Sequence, residues 1–336
     1  MEPFFYLMKT VGLTYDLKSD YEFKKGDPPD ANAEFDHPST IEVIAKAIES
    51  QGFKVKKIGN AANLLEKIGY LEVDIVFNIS EGLSGRNRES QVPLLLEMAG
   101  IPCVGSDALT LGLTLDKIIA KKIFIAEGIP TPKFFTVNSA RELDNTDHCK
   151  FPMIVKPRFE GSSKGLSESS RVQNLEELKN QVEYVLSNYK QPALVEEFIS
   201  GQEFTAAIIG NDPPEALPVV QIKIDGRLQL KDKFYTFARI TSNRLEYICP
   251  AKISHELSKK ISELALKTYR AVECRDFGRV DFRVDDNGRP FVLEINPLPS
   301  LSTEDVFKLV AENAGSTYNE IIGRILKSAL VRCNLN

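Results

Sequence analysis

The sequence predicts a chain of mixed α/β and α+β architecture, with two or three domains around a shared cleft and a small parallel α/β domain first. Three observations predict it. At 336 residues the chain is too long for one small core. Its first hundred residues alternate strand and helix signals, as a parallel sheet with crossover helices requires. Its remainder mixes alternating, strand-like runs with amphipathic helices and contains a hairpin rich in acids.

Taken in order, residues 11–14 read as a strand and 18–36 as a polar, turn-rich stretch. Ile41, Ile44, Ala45 and Ile48 then recur at helical spacing, with Ser39 or Thr40 as N-cap and Gly52 as terminator. Residues 53–58 form a second strand, and 73–79 a third, apolar enough to be buried on both faces. A short helix over 92–98 ends at Gly100, and a strand at 101–104 completes a domain expected over 1–107. A second unit, at 108–194, holds a helix at 115–127, strands at 134–137 and 153–156, and a charged helix at 175–186. The third, 195–336, has strands at 203–209, 219–224, 279–284 and 291–296, and helices at 254–271, 304–314 and 318–330.

Composition bounds the function. Hydrophobic residues make up 43% and charged residues 26%, ordinary values for a globular protein, and the net charge of −5 argues against a phosphate-tracking nucleic-acid surface. Cys103, Cys149, Cys249, Cys274 and Cys333 form no C-x-x-C pair, so incidental thiols in a reducing compartment are expected. His37, His148 and His255 have no metal-ligand spacing. The first 17 residues lack a basic start followed by a cleavable apolar run, and no window approaches the ~18 apolar residues of a membrane span. A cytoplasmic protein with no membrane partner is expected.

The most informative stretch runs from Gly278 to Asn296. Two alternating runs flank Asn287 and Gly288, a two-residue hairpin signal. That turn sets Asp286 opposite Arg289, Asp281 opposite Glu294 and Arg279 opposite Asn296. Strand side chains alternate, so these groups share one face, and Val280, Phe282, Val284, Phe291, Leu293 and Ile295 form a core face. Two carboxylates and an amide oxygen suit Mg²⁺, which is commonly held by a few carboxylates together with substrate phosphates. A merely solvated polar face is the alternative.

Upstream, a strand ending in Lys156 leads into a loop containing Gly161, Ser162, Ser163, Lys164 and Gly165. Backbone N–H groups of such a loop can hold phosphate oxygens, with a lysine as point charge, although a plain turn is also open. The P-loop pattern is absent. Farther on, a β-rich run from Leu194 to Thr205 carries Glu196 and Glu203, placed to read an adenine and a ribose, or else simply two strands about a turn at Ser200 and Gly201.

These pieces occur in the order and spacing of the D-alanine–D-alanine ligases of the ATP-grasp superfamily, which the chain resembles over nearly its whole length. The resemblance rests on residues 103–106 (Cys-Val-Gly-Ser), 115–117 (Leu-Asp-Lys), 155–157 (Val-Lys-Pro), 160–163 (Glu-Gly-Ser-Ser), 196–205 and 294–296 (Glu-Ile-Asn). It implies a three-domain ATP-grasp fold with ATP between the second and third domains, Mg²⁺ (or Mn²⁺) as metal, amino-acid substrates and a homodimer. Lys117 and Lys156 would contact ATP phosphates, Glu196 the adenine region and Glu203 the ribose; Gly161, Ser162 and Ser163 belong to the loop closing over the phosphates. Asp281, Glu294 and Asn296 would hold two metal ions, and Arg279 would stabilise charge at the acyl centre. Such enzymes make an acyl phosphate from a carboxylate and ATP, and an amine then attacks it.

The sequence departs from the family at the substrate loops. The N-terminal Ser-x-Glu-x-x-x-Ser segment is replaced by residues 33–39, which make Glu34 or Asp36 the candidates for a substrate ammonium. The His-Gly loop is replaced by residues 80–89, with Arg86 or Arg88 available to clamp a carboxylate. The family's Lys-Tyr pair aligns with Arg239 and Ile240, which makes Arg239 a candidate nucleotide contact and leaves Ser162, a candidate catalytic residue beside Arg279, without its tyrosine partner. Where the family holds the acceptor's carboxylate, this chain has Ser300 and Asp305. An aspartate there repels a carboxylate, by on the order of a kcal/mol or more. The leading expectation is therefore D-alanine–D-alanine ligation or a close relative of it. A ligase for a different amino-acid or peptide acceptor, and a non-catalytic nucleotide-binding protein, are the alternatives.

Overall fold

The structure is a computed structural model that describes residues 9–145, 150–240, 242 and 244–335, with the side chains of Asp144, Asn145 and Ile240 left out. The expectations for Cys149, His148, the Ile240 side chain and the first eight residues fall outside what is described.

The first unit comprises β1 (Thr10–Thr14), α1 (Pro38–Glu49), β2 (Lys54–Gly59), α2 (Ala61–Lys67), β3 (Ile75–Asn78), α3 (Gln91–Met98) and β4 (Cys103–Val104). Its strands lie in the order β2-β1-β3-β4 and pair in parallel throughout. β3 is buried along its length, as expected of a central parallel strand covered on both faces. The N-cap of α1 is His37, not Ser39 or Thr40, because Pro38 takes the first helical position, where its missing N–H is harmless.

A single helix at 115–127 is not found. Two helices, α4 (Ala108–Leu115) and α5 (Lys117–Ala126), meet at Asp116. The Asp116 backbone is extended and its carboxylate accepts the N–H groups of Ile118 and Ile119, so it caps the second helix and breaks the first. β5 (Phe134–Val137), β6 (Met153–Pro157), β7 (Arg171–Val172), α6 (Leu175–Tyr189) and β8 (Ala193–Glu197) then form a four-stranded antiparallel sheet, order β5-β8-β6-β7. Its core of Val137, Val155, Leu178, Val182 and Val195 is its own. β8 crosses the expected division at 194/195: paired with both β5 and β6, it keeps the chain in this sheet through Glu197.

The third unit contains β9 (Gln202–Ile209), β10 (Glu215–Ala216), β11 (Val220–Ile224), α7 (Phe237–Ile240), β12 (Leu245–Ile248), α8 (His255–Ala271), β13 (Phe277–Val284), β14 (Pro290–Asn296), α9 (Val306–Asn313) and α10 (Tyr318–Arg332). Its sheet runs β12-β11-β9-β13-β14, with β10 beside β9. The buried side of α8, with Ile261, Ala265 and Tyr269, joins the core around Phe204, Phe282 and Val292. Another core is shared with the first unit: Phe277 lies between Phe77 of β3 and Phe307 of α9, with ring centroids 6.3 and 6.2 Å away, among Leu13, Ile209 and Ile325. The first and third units are thus joined by common apolar burial. Among the described residues no helix is long and apolar enough to cross a membrane.

Candidate active site

A cavity of about 870 Å³ lies where the three units meet, lined from β6, β8, β9, β13 and β14 and from loops of the first unit. It is of the size that ligand sites occupy.

Its floor is the β13–β14 hairpin. Arg279 pairs with Asn296 and Asp281 with Glu294, as the alternation predicts, but the turn differs. Gly288 takes positive φ (73°) and Asn287 does not; the Gly288 N–H donates to the Asp285 carbonyl, and the Asp285 N–H to the Arg289 carbonyl. The loop is therefore longer than two residues, and Asp285, not Asp286, faces Arg289. That shifts the first rungs by one residue (Val284 with Pro290, Phe282 with Val292), until a bulge beyond Phe282 restores the predicted register at Asp281. The core residues of β14 are accordingly Pro290, Val292 and Ile295, and the predicted core residue Leu293 lines the cavity instead.

The hairpin's polar face is tightly connected. Arg279 forks onto Asp281 with two bonds of 3.0 Å, and the Thr205 hydroxyl donates to Asp281 at 2.6 Å. The Asn296 amide nitrogen donates to Asp281 at 3.0 Å, which turns its carbonyl oxygen away from that carboxylate. Lys117 lies 3.3 Å from Glu294, whose carboxyl, despite burial, is drawn below its usual value by Lys117 and Lys156. Among the described residues no three His, Cys, Asp or Glu side chains cluster as a self-sufficient metal cage. The two carboxylates and one amide fit a hard cation that takes its remaining oxygens from phosphate and water.

Opposite the hairpin, Glu196 on β8 is paired with Lys156 at 2.8 Å and with Lys121 at 2.5 Å. Burial would raise its carboxyl, but the two lysines bring it down to about 2. Its carboxylate is thus committed to lysines, where the sequence suggested an adenine contact. Lys121 itself was not singled out, because a lysine inside an apolar helix looks like a solvated position. Glu203 lies buried beside Arg283 at 2.9 Å and lines the same cavity.

The loop after β6 is held from the first unit. Gly161 donates its N–H to Glu34 at 2.6 Å, Lys164 pairs with Glu34 at 3.1 Å, and Arg88 does so at 2.7 Å. The Gly165 N–H donates to Asp30 at 2.8 Å. Ser162 and Ser163 both sit at positive φ (47° and 56°), a conformation that costs each roughly 1–2 kcal/mol and has to be held by its surroundings. Glu34 therefore has no free side for a substrate ammonium, in contrast to the expectation; its oxygens are occupied by the loop and by Arg88.

Two further expectations are corrected. Arg86 is turned outward onto Asp116 at 2.7 Å and does not line the cavity; Asp116 attracts it as it does Arg158. Arg239 lies outside the lining as well, donating to the Phe234 carbonyl at 2.8 Å and paired with Glu168 at 2.5 Å. Asp36, Ser300 and Asp305 do line the cavity. Asp305 caps α9 through the Val306 N–H and stands 3.8 Å from Arg279.

Three units, with a cleft of lysines facing a carboxylate-bearing hairpin, define the ATP-grasp class of fold. Consistently, the structure matches the Bacillus anthracis D-alanine–D-alanine ligase solved with ATP, with a TM-score of 0.75 and 24% identity over 98% of this chain and 100% of that one. The family model for the D-ala D-ala ligase C-terminus matches residues 123–327. The D-alanine–D-alanine ligase of Carboxydothermus hydrogenoformans is 35% identical over 300 residues, 87% of this chain and 92% of the relative. An uncharacterized protein of Sinorhizobium fredii, y4sG, is 40% identical over 255 residues, 76% of this chain and 74% of its own. The chain belongs to the D-alanine–D-alanine ligase family.

Proposed function

We propose that the protein is an ATP-dependent, Mg²⁺-requiring ligase that joins the carboxylate of one amino acid to the amine of a second, as a D-alanine–D-alanine ligase or a close relative of it. The observation that carries the reading is the convergence of Arg279, Asp281, Glu294 and Asn296 on one wall of a cavity whose other wall holds Lys117 and Lys156.

In this reading Lys117 and Lys156 position the phosphates of ATP, and the loop at 161–165 covers them. Asp281, Glu294 and the Asn296 carbonyl would hold Mg²⁺, which neutralises phosphate charge when bound. Arg279 stabilises the negative charge that develops at the acyl carbon. A substrate carboxylate oxygen takes the γ-phosphoryl group and ADP departs. The amine then attacks the acyl carbon, phosphate leaves carrying the amine's proton, and an amide remains. We place the division of the chain near residues 107 and 197, the protein in the cytoplasm, and its assembly as a homodimer.

A second reading keeps this chemistry and changes the acceptor. It is favoured by Asp305, which stands beside Arg279 where the acceptor's carboxylate would lie. ADP release with Mg-ATP and a panel of D- and L-amino acids, singly and in pairs, tests both. Dipeptide from D-alanine alone supports the first; release that needs another acceptor supports the second; none with any mixture overturns both.

A further inference from the structure

Away from the phosphate-side lysines, the cavity wall is acidic. Asp36, Glu81 and Glu89 from the first unit and Asp305 from the third all line it. Glu89 is 8% exposed, and among the described residues neither Glu89 nor Glu81 has a hydrogen-bond or ion-pair partner. A buried carboxylate without a partner, bordering an open cavity, is costly unless a ligand completes it.

Of the cations in reach, Arg88, Lys117 and Arg279 are engaged elsewhere, and Lys18 lines the cavity beside Asp36. Arg88 is held by Glu34 at 2.7 Å, by the Phe159 carbonyl at 2.6 Å and by Glu160 at 3.6 Å. Lys117 faces Glu294 and the Glu160 carbonyl. Arg279 is forked onto Asp281 before it meets Asp305. Around Asp36 stand Lys18, the Thr40 hydroxyl, Asp16 and Asp305. Burial pushes the Asp36 and Glu89 carboxyls up to about 7 and raises Glu81 well above its ordinary value, so these groups are fully charged only against a cation. Even with Lys18 beside Asp36, the wall holds more carboxyl groups than one substrate ammonium would engage.

We propose that this end of the cleft selects a substrate with two cationic groups, a diamino acid or a diamine, with one ammonium against Glu81 and Glu89 and the other near Asp36 and Asp305. The assignment rests on the ligase reading. One amino group gives a proton to solvent and attacks the acyl carbon as the free amine, and phosphate departs with a second proton as the amide forms; the other group stays protonated and anchors the substrate.

The test offers Mg-ATP with D-alanine alone, with neutral amino-acid pairs, and with alanine plus 2,3-diaminopropionate, ornithine, lysine (both enantiomers of each) or putrescine, recording ADP and product mass. The expected result is a kcat/KM at least tenfold higher for one of the diamino compounds than for any neutral acceptor. Glu81→Gln and Glu89→Gln should each raise KM for that compound at least tenfold while changing kcat little. A melting temperature that still rises with Mg-ATP reports that each variant is folded. Neutral acceptors used as well as or better than every diamino compound overturn the proposal and leave the ligase reading standing, as does an unchanged KM in both folded variants. No ADP release with any mixture overturns the ligase reading itself.

Discussion

Glu34 accepts the Gly161 N–H at 2.6 Å, so a residue of the first unit grips the loop that follows β6. Burial would raise the Glu34 carboxyl, but Arg88, Lys164 and the Gly161 N–H bring it down to about 2. A carboxyl lowered on folding stabilises the protein above its unfolded value near 4.5, and that contribution is lost as pH falls from there toward 2. Glu34→Gln is expected to cost about 3 kcal/mol at pH 7, as breaking a buried pair does. Urea unfolding at pH 7 and pH 3.5 should show the gap between parent and variant narrowing at the lower pH.

Lys156 and Lys121 share one carboxylate, but Lys156 lines the cleft and Lys121 is buried in α5. Lys156→Met should lower kcat/KM for ATP by about 10²-fold with a small change in stability. Glu196→Ala leaves two buried ammonium groups together and should destabilise the fold by about 3–5 kcal/mol. Steady-state kinetics and denaturant melts separate the two effects.

Removal of divalent metal by EDTA should abolish ADP release, and Mg²⁺ or Mn²⁺ should restore it. With Asp281→Asn or Glu294→Gln, the Mg²⁺ concentration for half-maximal rate should rise about 10- to 100-fold. An unchanged metal requirement would remove these residues from the metal site.

Burial, above all, pushes the Asp36 carboxyl up to about 7. For an acid raised on folding, the folded state keeps the proton, so stability is lost as pH climbs from the unfolded value near 3.8 through 7. Asp36→Asn should melt higher than the parent at pH 8, with the difference fading toward pH 4. Melting curves at the two pH values check the sign.

Asp305→Ser removes a negative charge next to Arg279. If a like charge excludes a neutral acceptor's carboxylate by about 1.4 kcal/mol, the variant gains about tenfold in kcat/KM with D-alanine as acceptor. Initial-rate kinetics with D-alanine alone give the answer.

Much of the fold was legible because strands such as β3 and β9 and helices such as α8 and α10 declare themselves by composition and period. The break at Asp116 was not, since a cap carboxylate inside an apolar run resembles any helix residue. The hairpin is instructive: the pairing of Asp281 with Glu294 was read correctly from a turn that does not form, because a longer loop and a bulge displace the register in opposite senses. Partners from remote sequence were the least visible. Nothing in residues 27–36 signals that Asp30 and Glu34 reach Gly165 and Gly161, more than a hundred positions on, since such bonds depend on how the units are set against each other.

The pairing of β5 with β8 has a mechanical consequence. The Glu197 N–H donates to the Lys133 carbonyl at 2.8 Å, so the chain goes into and comes out of the central sheet at one spot. The segment between is continuous with the rest of the chain only through this two-stranded neck. It otherwise meets the other units through contacts such as Ile154 with Phe234, Glu168 with Arg239 and the Phe159 carbonyl with Arg88, while those units share their apolar core. Opening the cleft would thus be a swing about that neck, and it would have to pull Gly161 and Gly165 off their two acids. Since Glu196 sits at the neck itself, paired with Phe134, the same swing would carry Lys156 with it. Nucleotide release and the unlatching of the loop would then be a single motion.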